Sequence, residues 1–207
     1  LAVLFGALLH AGWNALLKGG RDLLMDTALV AAGASVAVAP LLPWVDFPGP
    51  NQWPFIVGSM AVHVGYYAAI VWTYRHGDLS LGYPIMRGSA PLFVALAGIP
   101  LLGDAPTARG WLGIGLVCAG VVTLALARRG VPKPGGNLPA AVAFALLNAL
   151  LIASYTLIDT AGVREPGSLA GYLAWMFFVE GMPFVAIVAA LRGRRFAAHL
   201  RSHWRRG

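Results

Sequence analysis

Residues 138–158 read LPAAVAFALLNALLIASYTLI, a run without one charged side chain. Crossing the hydrocarbon core of a bilayer takes about twenty predominantly apolar residues in a helix, and this run is long enough. A strand is the poorer reading, because polar and apolar residues do not alternate with the period of two that a barrel wall requires. Working outward, six further runs of the same kind occupy 1–17, 27–44, 54–74, 82–102, 110–127 and 168–191. The gaps carry helix-ending chemistry, as in Asp46-Phe-Pro-Gly-Pro-Asn51, Gly103-Asp-Ala-Pro-Thr107 and Gly130-Val-Pro-Lys-Pro-Gly-Gly136. The expected fold class is therefore an all-α polytopic membrane protein with about seven transmembrane helices.

Composition agrees with a bilayer as solvent. Of 207 residues, 58% are hydrophobic and only 11% charged, against about a quarter charged in ordinary globular chains. The net charge of +7 does not point to nucleic acid. Most of the bases lie in two clusters beside apolar runs, Arg128, Arg129 and Lys133, and the segment Arg192 to Arg206. Such placement fits membrane flanks that meet anionic lipid. The base asymmetry puts 192–206 in the cytoplasm and the N-terminus outside. Cys118 is alone, so neither a disulfide framework nor a cysteine metal site is expected. Trp44, Trp53, Trp72 and Trp111 fall at span ends, where an indole anchors at the headgroups.

An offset of 138 lays Ala7-Leu-Leu-His-Ala11 on Ala145-Leu-Leu-Asn-Ala149. If residues 1–127 form one five-helix unit, 138–207 opens a second, inverted one. The expectation is then a truncated ten-helix inverted-repeat carrier.

Polar residues inside the spans are the candidates for function, since a charge at the bilayer centre costs about 2.5–3.5 kcal/mol and usually faces a bundle interior. Span one aligns His10, Trp13, Asn14 and Lys18 on one helix face; the third run aligns His63, Tyr66, Tyr67 and Tyr74. The fourth run adds Tyr83 and Arg87, the sixth Asn148, Tyr155 and Asp159, the seventh Tyr172 and Glu180. From these, His10, Trp13, Asn14, Tyr67, Arg87, Asn148 and Tyr155 are expected to line a substrate cavity. Glu180 and His10 are the candidates for proton coupling. Glu180 lies mid-span without a base three or four residues away on its own helix, so its partner must come from elsewhere. In the fifth run, Gly115 and Ala119 suit a close helix interface, within the chain or between two copies in a homodimer. Pro84, Pro91 and Pro183 are expected to kink or interrupt their helices.

The run Tyr66-Tyr-Ala-Ala-Ile-Val-Trp-Thr-Tyr74, with Gly77-Asp-Leu-Ser80, Tyr83-Pro-Ile-Met-Arg87-Gly-Ser-Ala-Pro91 and Leu102-Gly-Asp104, resembles the third and fourth helices of the EamA family in the drug/metabolite transporter superfamily. The opening His10-Ala-Gly-Trp13-Asn14-Ala-Leu-Leu-Lys18 is similar to the first helix of one EamA branch. The resemblance covers residues 1–127 well and 138–207 more loosely. It implies two inverted five-helix repeats, with 138–207 an incomplete second one. It implies a secondary carrier moving small metabolites or drugs by alternating access, with Trp13, Asn14 and Arg87 as signature positions, in a bacterial inner membrane. Asp104 departs from the glutamate usual there. Such carriers keep both termini in the cytoplasm, against the base count. No cofactor or metal is expected, and the partners are the lipid bilayer and an unknown small molecule.

Two other classes compete. A seven-helix receptor or sensor fits the span count, although the seventh run has no lysine for a retinal Schiff base. An intramembrane enzyme is weaker: Ser89 lacks a Gly-x-Ser-Gly setting, and neither His-Glu-x-x-His nor a nucleotide-binding Gly-x-x-x-x-Gly-Lys motif occurs.

Overall fold

A computed structural model of the chain describes residues 22–77, 79–127 and 137–203. The first apolar run, 1–17, with His10, Trp13, Asn14 and Lys18, lies outside these residues, as do Arg128, Arg129 and Lys133.

Every regular element among them is helical. Helix α1, Leu23–Val38, starts where the Asp22 carboxylate accepts from the Leu24 and Met25 amides at 3.2 and 3.1 Å. It tightens into a 3-10 turn at Ala39–Trp44, where Pro40 and Pro43 can donate no hydrogen bond. Helix α2, Trp53–His76, opens with Pro54 in its first turn and stops at Gly77. Helix α3 spans Leu79–Leu102, and Gly103 takes a φ of 72° to release the chain into α4, Ala108–Ala127. Asn137 caps α5, Leu138–Gly162, and Ser168 caps α6, Leu169–Val179. Helices α7, Met182–Arg192, and α8, Arg194–His203, complete the order.

The interruptions expected at proline occur in one segment and not in another. Pro84, Pro91 and Pro100 all lie inside α3, yet that helix is continuous. The span expected at 168–191 is long and apolar enough to cross as one segment, Leu169–Arg192, and within it two helices meet at Glu180 and Gly181, close to Pro183 where an interruption is expected. Pro183 supplies no amide to the Val179 carbonyl, and its ring crowds that carbonyl, so the axis breaks one turn before it.

Among the described residues, five segments are long and apolar enough to cross a membrane: Leu23–Trp44, Trp53–His76, Leu81–Leu102, Leu138–Gly162 and Leu169–Arg192. Ala108–Leu124 is a shorter apolar helix. Successive segments alternate in direction. The His76 carbonyl accepts from the Asn137 amide at 3.0 Å, joining the end of α2 to the start of α5 on the face where Arg75 and the Arg192–Arg201 bases also lie. We call this the basic face. Large apolar side chains such as Leu112, Leu116, Leu150, Phe177 and Leu191 point outward, as a helix bundle in hydrocarbon requires. Trp44 is 86% exposed at a segment end, and Trp72 stacks with His76 and Phe144 near the basic face. The chain is an integral membrane protein by these features.

Helix α5 is the hub. Its buried Ala141, Ala145, Ala149 and Ala153 recur every four residues and let α2 approach closely. Tyr66, Tyr67, Ile70 and Tyr74 of α2 fill the seam, with Ile85 and Met86 of α3 in the same core. Against α1, Gly181 sits so close that an added Cβ would stand 2.9 Å from that of Ala31.

Among the described residues, the small residues of the fifth run make no close helix contact. Gly113, Gly115 and Gly120 of α4 face open space among the described residues. The close approach is made by Gly88 of α3 against Val117 and Val121.

Candidate functional site

The polar residues scattered over α2, α3, α5 and the α6–α7 break converge at the middle of the bundle. His63 is the centre. It lies on α2, ten residues from its start, and is buried. Its ring stacks on Tyr155 of α5 at 4.2 Å and meets Tyr66 and Tyr67 at 5.7 and 6.2 Å. Its Nε2 is 3.5 Å from Oε2 of Glu180 at the α6–α7 break. The base that Glu180 lacks on its own helix therefore comes from α2.

The tautomer of His63 follows from its other nitrogen. Nδ1 lies 2.9 Å from the Ser59 carbonyl oxygen, one turn back, and 3.4 Å from the Ser59 hydroxyl. A carbonyl oxygen only accepts, so the short contact assigns the proton to Nδ1. Nε2 then presents a lone pair to Glu180 whenever the ring is neutral. The same assignment speaks against a serine–histidine catalytic pair at this point, because Nδ1 has no lone pair with which to take the Ser59 proton.

Arg87 brings a permanent cation to the cluster from α3. Its Nη2 donates to the Tyr66 hydroxyl at 3.3 Å, and the guanidinium also bonds the Tyr155 side chain. Tyrosine oxygens satisfy part of its donor set without neutralising it. Near Ser59 and one turn beyond Tyr155, away from the basic face, Asp159 at the end of α5 accepts from the Tyr172 hydroxyl at 3.1 Å. A ladder of polar groups thus runs from Glu180 and His63 through Ser59 to Asp159 and Tyr172.

A cleft of about 570 Å³ adjoins the cluster between α3, α4 and α5. Arg87 lies at its inner end, and Asp104, Ala105 and Pro106 lie at its other end, opposite the basic face. The fifteen residue steps from Arg87 to Leu102 correspond to roughly 20 Å of helix. Most of the wall is apolar, with Thr156 and Thr160 adding hydroxyls that are bonded back to their own helix. Beside the cleft, Arg164 pairs with the Asp104 carboxylate, which gives the shorter acid an ion-pair role.

Of the residues expected to line a cavity, Tyr67, Arg87 and Tyr155 are brought together here with Glu180. Asn148 is buried about 10 Å further toward the basic face, where its Nδ2 donates to the Met86 sulfur at 2.8 Å. Its Oδ1 has no hydrogen-bond partner among the described residues. His10, Trp13 and Asn14 lie outside the described residues. Sequence reasoning left His63, Ser59 and Asp159 off the list of site residues. His63 shared a helix face with Tyr67, and that spacing was the available signal; Ser59 carried none. Among the described residues, no three His, Cys, Asp or Glu side chains converge closely enough to hold a metal ion.

The chain matches no protein-family model, no curated protein and no solved structure.

Proposed function

We propose that the chain is a secondary carrier of the EamA type, moving small metabolites or drugs across a bacterial inner membrane by alternating access. The observation that carries the reading is a buried cluster of Arg87, His63, Tyr155 and Glu180 at mid-depth, set at one end of a cleft whose lining runs from Arg87 to Asp104. A buried cation, a carboxyl and four aromatic rings exceed what helix packing needs, and ionisable groups at that depth usually mark a path. Glu180 sits at a helix break, a place where segments can change angle without losing an intact helix. The resemblance of residues 66–104 to EamA helices supports the same reading.

The test is flux through the chain reconstituted in proteoliposomes, with a radiolabelled panel of amino acids, amines, nucleosides and lipophilic cations. Saturable uptake of at least one compound, lost on Arg87→Leu, is the expected result. Fluxes across the whole panel that match protein-free vesicles would overturn the reading.

A further inference from the structure

We infer that His63 and Glu180 form a binding site for a single proton at the middle of the membrane, held between Nε2 and Oε2. The inference deepens the carrier reading and rests on it for one clause only: loading and unloading of this site is what couples flux to a proton gradient.

The argument is geometric. The Ser59 carbonyl at 2.9 Å holds one proton on Nδ1 of His63, so Nε2 must find its own. Facing it at 3.5 Å is a carboxyl oxygen, and both side chains are nearly sealed from solvent, at 6% and 12% exposure. A lone pair set against a carboxylate leaves two acceptors facing each other, and one proton between them removes that conflict. The proton sits on Oε2, as a neutral acid beside a neutral ring, or on Nε2, as a carboxylate beside an imidazolium. Passing from the first form to the second breaks the O–H bond and makes an N–H bond, with no change in total charge. A second proton on the pair would leave a net positive charge beside Arg87.

The surroundings suit both the loaded and the emptied state. Loaded, the pair is neutral; emptied, it carries one negative charge, and Arg87 from α3 is the cation at hand. Tyr66 and Tyr67 from α2 and Tyr155 from α5 wall the ring with neutral hydroxyl-bearing aromatics. Helix α1 contributes apolar Ala31 against Gly181. Asp159, with Tyr172 of α6 on its other side, stands beside Ser59, one turn beyond Tyr155, and offers the next acceptor toward the face opposite the bases. The 3.5 Å gap is longer than a settled hydrogen bond.

The test needs no transported substrate. The chain, labelled with 15N-histidine, is placed in phosphatidylcholine vesicles and titrated with protons as the only probe, read by solid-state NMR of the rings and by the infrared carbonyl band of protonated carboxyls. His63→Gln assigns the His63 signals and Glu180→Gln the Glu180 band. Neutral His63 is expected to carry its proton on Nδ1, and the Glu180 band and the His63 signals should change together in one step that takes up one proton. Glu180→Gln should abolish that shared step. A neutral ring protonated on Nε2 overturns the inference in the unaltered chain, and so does a His63 titration course unchanged by Glu180→Gln. The outcomes separate from those of the flux assay. A shared step in a chain that moves no panel compound sinks the carrier reading and supports the proton site; saturable flux with no shared step does the reverse.

Discussion

Among the described residues are two buried histidine–carboxylate pairs, and they are built differently. His199 on α8 meets Asp26 on α1 at 2.8 Å near the basic face; His63 meets Glu180 at 3.5 Å in the middle of the bundle. Asp26 is in the first turn of an unbroken helix, where unpaired amides favour a carboxylate by about 0.3–1 kcal/mol. Its partner helix is also held by buried Phe196 and by Arg192 reaching Asp22 at 3.9 Å. Glu180 has no helix start of comparable length behind it and stands at a break in the axis. The first pair therefore works as a clasp that seats a basic amphipathic helix against the bundle. The second is loose, walled by aromatics, and free to exchange its proton. Similar burial and the same residue types lead to different roles because the backbone around one is over-determined and around the other is not.

The largest effect that would break this comparison is on the clasp. His199→Ala leaves the buried Asp26 carboxyl without its hydrogen-bond partner, and leaving a buried polar group unsatisfied costs about 1–3 kcal/mol. Unfolding in detergent micelles should show that loss, and adding Asp26→Asn should recover most of it. A loss under about 1 kcal/mol would mean that α8 is seated by Phe196 alone. The central pair should respond in the opposite way. Glu180→Gln keeps the shape of the side chain and gives up only a 3.5 Å contact, so stability should change by less than about 1 kcal/mol. Gradient-driven flux should instead fall about 100-fold, equivalent to about 2.7 kcal/mol. Equal losses of stability at the two sites would erase the distinction.

How far the sequence foretold these two sites depends on what each requires. Glu180 stood out as a mid-span carboxyl without a neighbouring base, and the need for a distant partner follows from that alone. Which base answers it does not follow, because His63 and Glu180 meet only once α2 and the α6–α7 break pack together. The break itself was half legible. Pro183 announces it, yet Pro84 and Pro91 announce breaks in α3 that do not occur. Proline removes one bond and crowds one carbonyl; whether the helix bends depends on neighbours that re-satisfy the freed group. The basic segment after 192 was legible as a membrane flank. Its inward side, Phe196 and His199, needed Asp26 in place to be recognised. Likewise, the alanine periodicity of α5 was visible as apolar sequence, whereas its use as a seam for α2 depended on the tyrosines opposite.

Gly181→Ala sharpens the comparison from a third position, because α1 carries Asp26 in its first turn and presses on the break from its middle, at Ala31. The new methyl would stand 2.9 Å from the Cβ of Ala31 and 3.0 Å from its carbonyl oxygen, too close for either helix to stay in place. Overpacking of this kind costs about 1–3 kcal/mol. The displacement should fall on the break, where two helices meet without a cap, rather than on the start of α1, which is capped and clasped. Infrared and NMR signals of the His63–Glu180 pair should therefore change while those of His199 hold. Changes confined to His199 would show that α1, not the break, is the compliant element.

The smallest effect concerns the one ion pair in the described residues that lies in water on both sides. Arg164 and Asp104 join the α5–α6 and α3–α4 connections at the outer end of the cleft, with side chains 49% and 52% exposed. Arg164 also reaches the Leu102 carbonyl at 3.5 Å, a marginal bond. Exposed pairs contribute about 0–1 kcal/mol, because water already solvates both charges and holding two mobile side chains costs entropy. Arg164→Ala should lower stability by less than about 1 kcal/mol, and added salt should shrink even that difference by screening the pair. This substitution isolates burial as the variable: chemistry comparable to the clasp, placed in solvent, should be worth a small fraction of it. A salt-independent loss above about 2 kcal/mol would show that the two connections are bound into the fold as firmly as α8, and that depth is not what separates the pairs of this molecule.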